Sequence, residues 1–419
     1  MGGDVPVNWD PQDDDDRMIV RQDDFVRYCD HLRKCESIAF DTEFVSEDCY
    51  RPDLCLIQVA TAGGMALIDP KALDSVDLFW EVLTDGDHET VVHAGREELR
   101  FCLFATGRLP KRLFDVQIAA GFVGLEYPAA YRTLVHRLAH RDLAKEETRT
   151  NWRHRPLTDS QIAYALTDVE HLIPIRETLR KRLGKLGREA WAAQETDEWA
   201  QSVRAAELHE PWRRVGGSAT LSSKGLAIVR EVWQWREETA RRRDCPARRV
   251  LRDDLIIELA KRATPNLAKI RSLRGLERGD LKRHLEEIAT RIQNVLAADK
   301  STWPEPHRST SAGPPLNLLI QFLQTALGCL CRDRKIAPGI VATSQDLRDF
   351  VAHRLGLGDR ADASQISLLQ GWRRELVVEP LDRLLAGEWS IGVENPVADQ
   401  PLRLVSFGTP AEERIELDE

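Results

Sequence analysis

Hydrophobic and polar positions follow two different patterns along the chain. From residue 18 to about 195, short apolar runs alternate with helical stretches, whereas from about 218 onward almost every segment has helical periodicity. Alternating strands and helices are typical of a sheet covered by helices, and continuous helical periodicity is typical of small bundles. We therefore expect an α/β domain followed by all-α domains.

Several apolar runs in the first part of the chain predict strands. Ser37–Phe40 is a short β-like run, and Leu54–Thr61 and Met65–Ile68 flank an Ala-Gly-Gly sequence that is typical of a hairpin. Thr90–His93 is a further strand and leads into a helical stretch over Arg96–Ala105. These elements predict a mixed sheet flanked by helices.

Two segments rich in helix- and strand-breaking residues predict the domain boundaries. Residues 205–217 contain a proline and a Gly-Gly pair, and residues 301–315 are rich in Ser, Pro and Gly. The predicted division is an acidic, mobile leader (1–17), an α/β domain (18–200), a helical domain (218–298), a second helical domain (316–395) and an acidic tail (396–419).

Charge is distributed unevenly over the 419 residues. The formal net charge of −9 argues against a protein that binds nucleic acid over its whole surface. Residues 221–300 are nevertheless basic, with 19 Lys and Arg against 12 Asp and Glu, and they lie between two acidic segments. Any electrostatic contact with nucleic acid is therefore expected in the first helical domain.

The eight cysteines show no CxxC pair and no Cys/His spacing typical of a zinc site. The sequence also contains no apolar core of a signal peptide and no apolar run of about 20 residues. We expect a cytoplasmic protein with free thiols and no membrane contact.

Two acidic side chains, Asp41 and Glu43, are two residues apart where the first predicted strand ends. At that spacing both point to one face of a sheet, so their charges repel. The apolar residues just before them partly exclude water, which makes it costly to ionise both carboxyls unless a cation joins them. Taken alone, the pattern is weak evidence, and exposed acids at a strand end explain it better.

Tyr164 and Asp168 lie one helical turn apart on one face of a predicted helix. Thr158 and Gln161 form a capping-box pattern, so this helix is predicted to begin at Asp159. A tyrosine hydroxyl one turn from a metal-binding carboxylate can orient a water molecule. An ordinary i,i+4 pair is the alternative interpretation.

A third acidic position follows the strand that ends near His93. Glu97 and Glu98 fall in the first turn of the next predicted helix, where the helix dipole favours acids whatever their function. Adjacent helical residues point about 100° apart, so only one of the two is expected to face a common site.

In this order the motifs resemble those of the ribonuclease D family of DEDD 3′–5′ exonucleases, Tyr subclass. The likeness covers residues 18–180 and includes stretches between the motifs: Leu56-Ile-Gln58, Leu113-Phe-Asp115-Val-Gln117-Ile-Ala-Ala, Lys145-Glu-Glu-Thr-Arg149-Thr-Asn-Trp152 and Arg155-Pro-Leu-Thr158. It implies a ribonuclease H-like sheet and a metal-dependent 3′–5′ exoribonuclease. Such an enzyme would trim structured RNA ends, such as tRNA precursors, to nucleoside 5′-monophosphates.

The resemblance also implies roles for individual residues. Tyr164 would position the attacking water, and two divalent cations, Mg²⁺ or Mn²⁺, would be held by Asp41, Glu43, Glu98 and Asp168. One position departs from the family, which usually has Asp where this chain has Glu98, a residue that reaches about 1.5 Å further. A catalytically weakened RNA-binding protein and a DNA 3′–5′ exonuclease therefore stay open as alternatives.

Contacts with RNA are expected in two places. At the active site, Phe44 would stack on the terminal base, and Gln58 and His93 would contact the terminal nucleotide; core roles are the alternative for Phe44 and His93. Residues 227–260 resemble an HRDC domain, a helical module also found in RecQ-type helicases. Its exposed arginines would follow phosphates without reading sequence: Arg241, Arg242, Arg243, Arg248 and Arg249.

The last helical segment, residues 336–387, resembles the second C-terminal domain of ribonuclease D. It lies in the acidic segment 301–419, which has 12 Lys and Arg against 17 Asp and Glu, so we expect it mainly to pack against the nuclease domain. RNA is the expected partner, and the protein is expected to be a monomer without an obligate protein partner.

Overall fold

A mixed six-stranded sheet forms the centre of the N-terminal part of the protein. In a computed structural model, the residues described are 17–143, 150–208, 211–276, 279–306, 314–357, 363–398 and 400–406. The strands are β1 (Met18–Ile19), β2 (Ser37–Val45), β3 (Asp53–Thr61), β4 (Gly64–Ile68), β5 (Glu89–Val92) and β6 (Leu113–Asp115). They lie side by side in the order β1-β4-β3-β2-β5-β6. The β2-β3 and β3-β4 pairs are antiparallel, and the other pairs are parallel.

Strand β2 is longer than the sequence pattern predicts. It continues past Phe40 to Val45, with a shift of register between Glu43 and Phe44. The apolar run marks only its first half because the second half carries the acidic motif. Asp41 and Glu43 therefore lie inside the strand, where β3 on one side fixes their positions.

Helices cover this sheet and complete the N-terminal unit, residues 17–208. They are α1 (Gln22–Leu32), α2 (Asp77–Asp85), α3 (Arg96–Thr106), α4 (Val116–Phe122), α5 (Tyr131–Leu134), α6 (Asp159–Glu170), α7 (Leu172–Leu186) and α8 (Glu189–Leu208). A π-helical turn over Val135–Ala139 continues α5. The predicted leader lies outside the described residues except for Arg17, and so do residues 144–149 of the family-like stretch.

The middle unit, residues 211–306, is helical and has a hydrophobic core of its own. Its helices are α9 (Ser223–Arg243), α10 (Ala247–Val250), α11 (Asp253–Arg262), α12 (Leu267–Arg271), α13 (Gly279–Lys282) and α14 (Leu285–Ala297). Trp235 of α9 is completely buried at the centre of this core. The long helix α9 packs against both α11 and α14, so it organises the unit.

The C-terminal unit, residues 314–406, contains α15 (Pro314–Asp333), α16 (Pro338–Val341), α17 (Ser344–Arg354) and α18 (Gly371–Leu385). It ends in an antiparallel hairpin of β7 (Trp389–Val393) and β8 (Leu402–Ser406), which crosses the predicted boundary at 396 between helical domain and tail. The all-α prediction for this segment was therefore wrong at its end. Trp389, Ile391 and Leu404 pack on the core, and the two-residue alternation of apolar side chains was the missed signal. The end of the tail, from residue 407, lies outside the described residues.

The C-terminal unit shares one hydrophobic core with α4, α7 and α8 of the N-terminal unit. The ring of Trp372 lies 4.8 Å from that of Phe122 and 5.7 Å from that of Trp191. Arg188 donates hydrogen bonds of 2.8 Å to the carbonyls of Phe122 and Lys335 and so ties both units together. Within the described ranges, no helix combines the length and the apolar character needed to cross a membrane.

Candidate active site

The site begins on the central strand β2, where Thr42 lies between Asp41 and Glu43. Asp41 pairs directly with Gln58 on β3, and Glu43 pairs with Leu56. Asp41 and Glu43 are half-buried, whereas Thr42 is buried. Oδ1 of Asp41 accepts a hydrogen bond of 2.9 Å from the backbone N–H of Thr42, which holds the carboxylate along the strand.

A sharp turn between β5 and α3 places the second acidic motif. Ala94 in this turn has a φ of 53°, and a Cβ on Gly95 would lie 2.5 Å from Cγ2 of Val92, so only glycine fits at position 95. Buried Asp115 accepts a hydrogen bond of 3.1 Å from the Gly95 N–H, and it also accepts one of 2.8 Å from the N–H of Gln117 at the start of α4. Asp115 therefore fixes the start of α3, a role that the sequence analysis did not assign.

Glu98 of α3 points into the site and Glu97 does not. The Glu98 side chain is 5% exposed, and its Oε1 accepts a hydrogen bond of 2.7 Å from the hydroxyl of Thr42. A further hydrogen bond joins the carboxyls of Glu98 and Asp41. Glu97 instead pairs with Arg100 at 2.6 Å, so it is directed away from the other acids.

Helix α6 brings the third motif. It begins at Asp159 behind the capping box of Thr158 and Gln161, as the sequence predicts. Arg155 anchors the preceding segment, since it pairs with Asp69 at 2.6 Å and donates to the carbonyl of Cys55 at 2.7 Å. The chain therefore enters α6 at a fixed point on the sheet.

Tyr164 and Asp168 are half-buried on this helix. The ring of Tyr164 lies 6.1 Å from that of Trp152, at the edge of a small cluster with side chains of β3 and β4. Asp168 interacts electrostatically with Glu43. Helix α6 thus brings its carboxylate to the acidic pair of β2.

Burial and mutual repulsion disfavour charge on the clustered carboxyls. Burial, followed by the charges of Asp41 and Asp168, raises the pKa of Glu43 to about 8. Burial and the charge of Asp41 raise the pKa of Glu98 well above its usual range, and burial also raises the pKa of Asp41. Three carboxyls whose pKa values are raised in this way, with Asp168 beside them, are suited to a site that gains positive charge from a ligand.

The donors fit hard divalent cations because all of them are oxygen atoms. Within the described ranges, no three His, Cys, Asp or Glu side chains are already arranged as a metal-binding group. The arrangement instead pairs Glu98 with Asp41 and Thr42. Binding of a cation by both acids would offset the repulsion and burial that raise their pKa values.

Three predicted substrate contacts have different surroundings. Gln58 is completely buried, and neither amide atom has a hydrogen-bond partner in the described structure; its contact with a nucleotide stays a prediction. His93 is half-buried, and its Nε2 donates to the carbonyl of Ala129 at 2.9 Å. Phe44 is half-buried against Phe101, with 5.7 Å between the ring centres.

Tyr131 is a residue of this region that the sequence analysis missed. Its ring lies 5.5 Å from that of His93, and its hydroxyl donates to the carbonyl of Thr167 at 3.2 Å. The charges of Asp168 and Asp41 contribute, after burial, to a raised pKa of its hydroxyl. No motif marked Tyr131, because only the fold brings α5 beside α6.

The predicted basic residues are all exposed at the end of α9 and on α10. Arg241 lies over the ring of Tyr50 at 5.6 Å, Arg243 contacts His284 at 2.8 Å, and Arg248 pairs with Asp253 at 3.2 Å. Arg242 donates to the hydroxyl of a nearby threonine. Asp48 of the N-terminal unit has a pKa lowered mainly by its hydrogen bonds to Arg153, and the charge of Arg249 adds a small contribution. This basic surface therefore faces the loop that follows β2.

Known proteins resemble both parts of the chain. A family model described as 3′–5′ exonuclease matches residues 17–184, and an HRDC domain model matches residues 225–292. Ribonuclease D of Gluconacetobacter diazotrophicus is 31% identical over 386 residues, covering 90% of this chain and 94% of that protein. Ribonuclease D of Zymomonas mobilis is 32% identical, covering 87% and 93%. The chain belongs to the ribonuclease D family.

Membership of the ribonuclease D family makes this protein a 3′–5′ exoribonuclease. The crystal structure of Escherichia coli RNase D, an exoribonuclease involved in structured RNA processing, matches with a TM-score of 0.75 at 28% identity, covering 88% of this chain and 98% of that chain. The predicted ribonuclease H-like domain followed by a helical HRDC region is confirmed. Exonucleases of this family generally use divalent metal ions.

Proposed function

We propose that the protein removes nucleotides from the 3′ ends of structured RNA, such as tRNA precursors, through a site that holds two Mg²⁺ or Mn²⁺ ions. The ions would be held by four carboxylates: Asp41, Glu43, Glu98 and Asp168. The observation that carries this proposal is the approach of oxygen-donor acids from β2, α3 and α6, in which the charge of Asp41 raises the pKa values of Glu43 and Glu98 and that of Asp168 raises the pKa of Glu43. When bound, the cations acidify a water and neutralise charge on the phosphodiester.

The surrounding residues hold this machinery in place. Tyr164, one helical turn from Asp168, would orient the attacking water. Thr42 holds the carboxyl of Glu98 through its hydroxyl. Asp115 holds the turn from which Glu98 projects, and His93 is fixed by the carbonyl of Ala129. These contacts keep the reacting groups oriented before RNA arrives.

RNA would meet two further surfaces. Phe44, which is half-buried against Phe101, would stack on the terminal base. The exposed arginines of α9 and α10 would contact phosphates. Support for a structured RNA substrate comes from the similarity to E. coli RNase D, which takes part in structured RNA processing.

The cellular setting is also part of the proposal. All eight cysteines are free thiols, which fits the reducing cytoplasm. The N-terminal and C-terminal units share one core within a single chain, which supports a monomer without an obligate protein partner.

The test is hydrolysis of an RNA with a single-stranded 3′ extension, in Mg²⁺ or Mn²⁺ and after treatment with EDTA. Glu98→Gln and Asp168→Asn are each expected to lower kcat by at least about 100-fold, because each removes a charge from the cation site. Glu97→Gln is the matched control, since Glu97 pairs with Arg100 and is directed away from the site. Hydrolysis that persists in EDTA would contradict the metal-dependent mechanism. Hydrolysis of a DNA strand of the same sequence tests whether the enzyme distinguishes ribose from deoxyribose.

A further inference from the structure

A cavity of about 400 Å³ lies between the N-terminal and middle units, beyond the active site. It is lined by the loop after β2, the end of α3, the end of α8 and the helices α9 and α11. We call this cavity the interunit cleft. Its volume is in the range of pockets that enclose small organic groups.

The lining of the interunit cleft is strongly basic in a protein whose net charge is −9. Three carboxylates, Glu207, Glu237 and Asp253, face six arginines: Arg51, Arg100, Arg214, Arg236, Arg241 and Arg248. Most of these arginines are already paired; Arg236, for example, contacts Asp253 at 2.6 Å. The excess positive charge of the cleft therefore lies on the arginines that have no carboxylate partner among the described residues.

Arg51 and Arg241 are the two arginines of the cleft that have no carboxylate partner among the described residues. Both are exposed. The guanidinium of Arg51 lies 4.7 Å from the ring centre of Phe104, and that of Arg241 lies 5.6 Å from that of Tyr50. Stacking on a ring holds a guanidinium in place while leaving its edge free to bind a phosphate.

Aromatic side chains complete the cleft. Tyr50, Phe104 and Trp233 are half-buried and line the same cavity as the arginines. Arginines that bind phosphate, combined with aromatic faces that stack on bases, are the combination with which proteins hold single-stranded nucleic acid without reading its sequence.

The same elements carry the cleft and the acidic site. Helix α3 begins next to the site at Glu98 and reaches the cleft at Phe104, six residues or about 9 Å further along the helix axis. Strand β2 carries Asp41 and Glu43 and leads into the loop that supplies Tyr50 and Arg51. The strand and the helix that carry three of the carboxylates therefore also contribute to the cleft.

We propose that the interunit cleft binds the RNA strand upstream of the scissile end, with Arg51 and Arg241 on its phosphates and the aromatic residues against a base. This inference rests on the proposed RNA substrate and extends the proposed phosphate contacts of α9 to a defined cleft that includes Arg51 and the aromatic residues. Its consequence is a preference for longer RNA, because an RNA of a few nucleotides fills the active site without reaching the cleft.

Binding is measured with the full chain carrying Asp168→Asn, which stops hydrolysis. Replacing Arg51 and Arg241 by Gln together is expected to raise the Kd for a 30-nucleotide single strand about tenfold and to reduce the salt slope by about 1.4, that is, by two single-strand phosphate contacts. Arg51→Lys keeps the charge but loses the planar stack on Phe104, so an intermediate Kd is expected. The control is Arg374→Gln, an exposed arginine of α18 outside the cleft.

Hydrolysis separates this inference from the proposed function. With Asp168 intact, kcat/KM is measured for the 30-nucleotide strand and for a three-nucleotide RNA. In the double variant, kcat/KM for the long strand is expected to fall about tenfold relative to that for the short RNA, because KM for the long strand rises. An unchanged ratio and an unchanged salt slope would overturn the inference while leaving the nuclease proposal in place. If the parent protein cleaves neither RNA, the proposed function fails first. Binding of AMP that depends on both arginines, with unaltered RNA affinity, would assign the cleft to free nucleotides and also overturn the inference.

Discussion

Thr42 and Glu98 offer a direct test of how this chain uses a longer acid where its family usually has Asp. The Thr42 hydroxyl donates to Oε1 of Glu98 at 2.7 Å, and both side chains are buried. Thr42→Val removes the donor with almost no change of shape. We expect kcat/KM to fall, because the carboxylate loses the group that holds it in position for catalysis.

The structure sets the size of the effect. A hydrogen bond to a charged group contributes about 1.5–3 kcal/mol. At about 1.4 kcal/mol for each factor of ten, losing it corresponds to a decrease in rate of about tenfold or more. In Glu98→Asp the carboxylate withdraws by about 1.5 Å, which stretches the 2.7 Å bond beyond hydrogen-bonding distance. Thr42→Val is therefore expected to cost less than about twofold in the Glu98→Asp protein.

The assay is a double-mutant cycle on a short RNA at saturating Mg²⁺, with Mn²⁺ affinity measured by calorimetry on the same four proteins. Both readouts are expected to show coupling between the two positions. Thr178→Val is the control, because the Thr178 hydroxyl donates to a backbone carbonyl within α7, outside the acidic site. Equal losses from Thr42→Val in both backgrounds would refute the reasoning, since the hydroxyl would then act independently of the longer acid.

Three other predictions concern charge, the turn before α3 and the shared core. The folded-state pKa of Glu43 is raised from 4.5 to about 8, so the metal-free protein should lose stability as pH rises through that window, and Mg²⁺ should restore it in thermal unfolding. Gly95→Ala forces a Cβ against Val92 and should cost about 1–3 kcal/mol and most of the activity, whereas Gly216→Ala, with open space around it, should cost neither. Trp372→Ala should destabilise the N-terminal and C-terminal units together by about 3–5 kcal/mol in urea unfolding.

The sequence predicted the features of this fold that depend on neighbouring residues. The hairpin of β3 and β4 and the start of α6 behind Thr158 follow from turn and capping chemistry within a few positions. The motif order also indicated which acids would meet. The Thr42 bond to Glu98, by contrast, joins residues 56 positions apart, and no local pattern records it.

Burial and long-range packing are the features that the sequence pattern specifies least. Gln58 pairs with Asp41 in the centre of the sheet and is completely buried, which its polar character did not indicate, and its contact with a nucleotide stays a prediction. The C-terminal unit was expected mainly to pack against the nuclease domain, and Trp372 does lie in a core to which the N-terminal unit also contributes, but the sequence did not indicate which residues would form that core. Periodicity shows which face of an element is apolar but not which partner covers it.

The use of β2 and α3 by both the acidic site and the interunit cleft has a consequence for specificity. Tyr50 follows β2, and its backbone N–H donates to Asp244 of the middle unit at 3.2 Å. The middle unit is thus attached to the N-terminal unit close to the strand that carries Asp41 and Glu43. The distance from the carboxylates to Arg51 and Phe104 is therefore set by one strand and one helix rather than by the segment that joins the units. Because this distance is fixed, the two sites together select RNA by its length and not by its sequence.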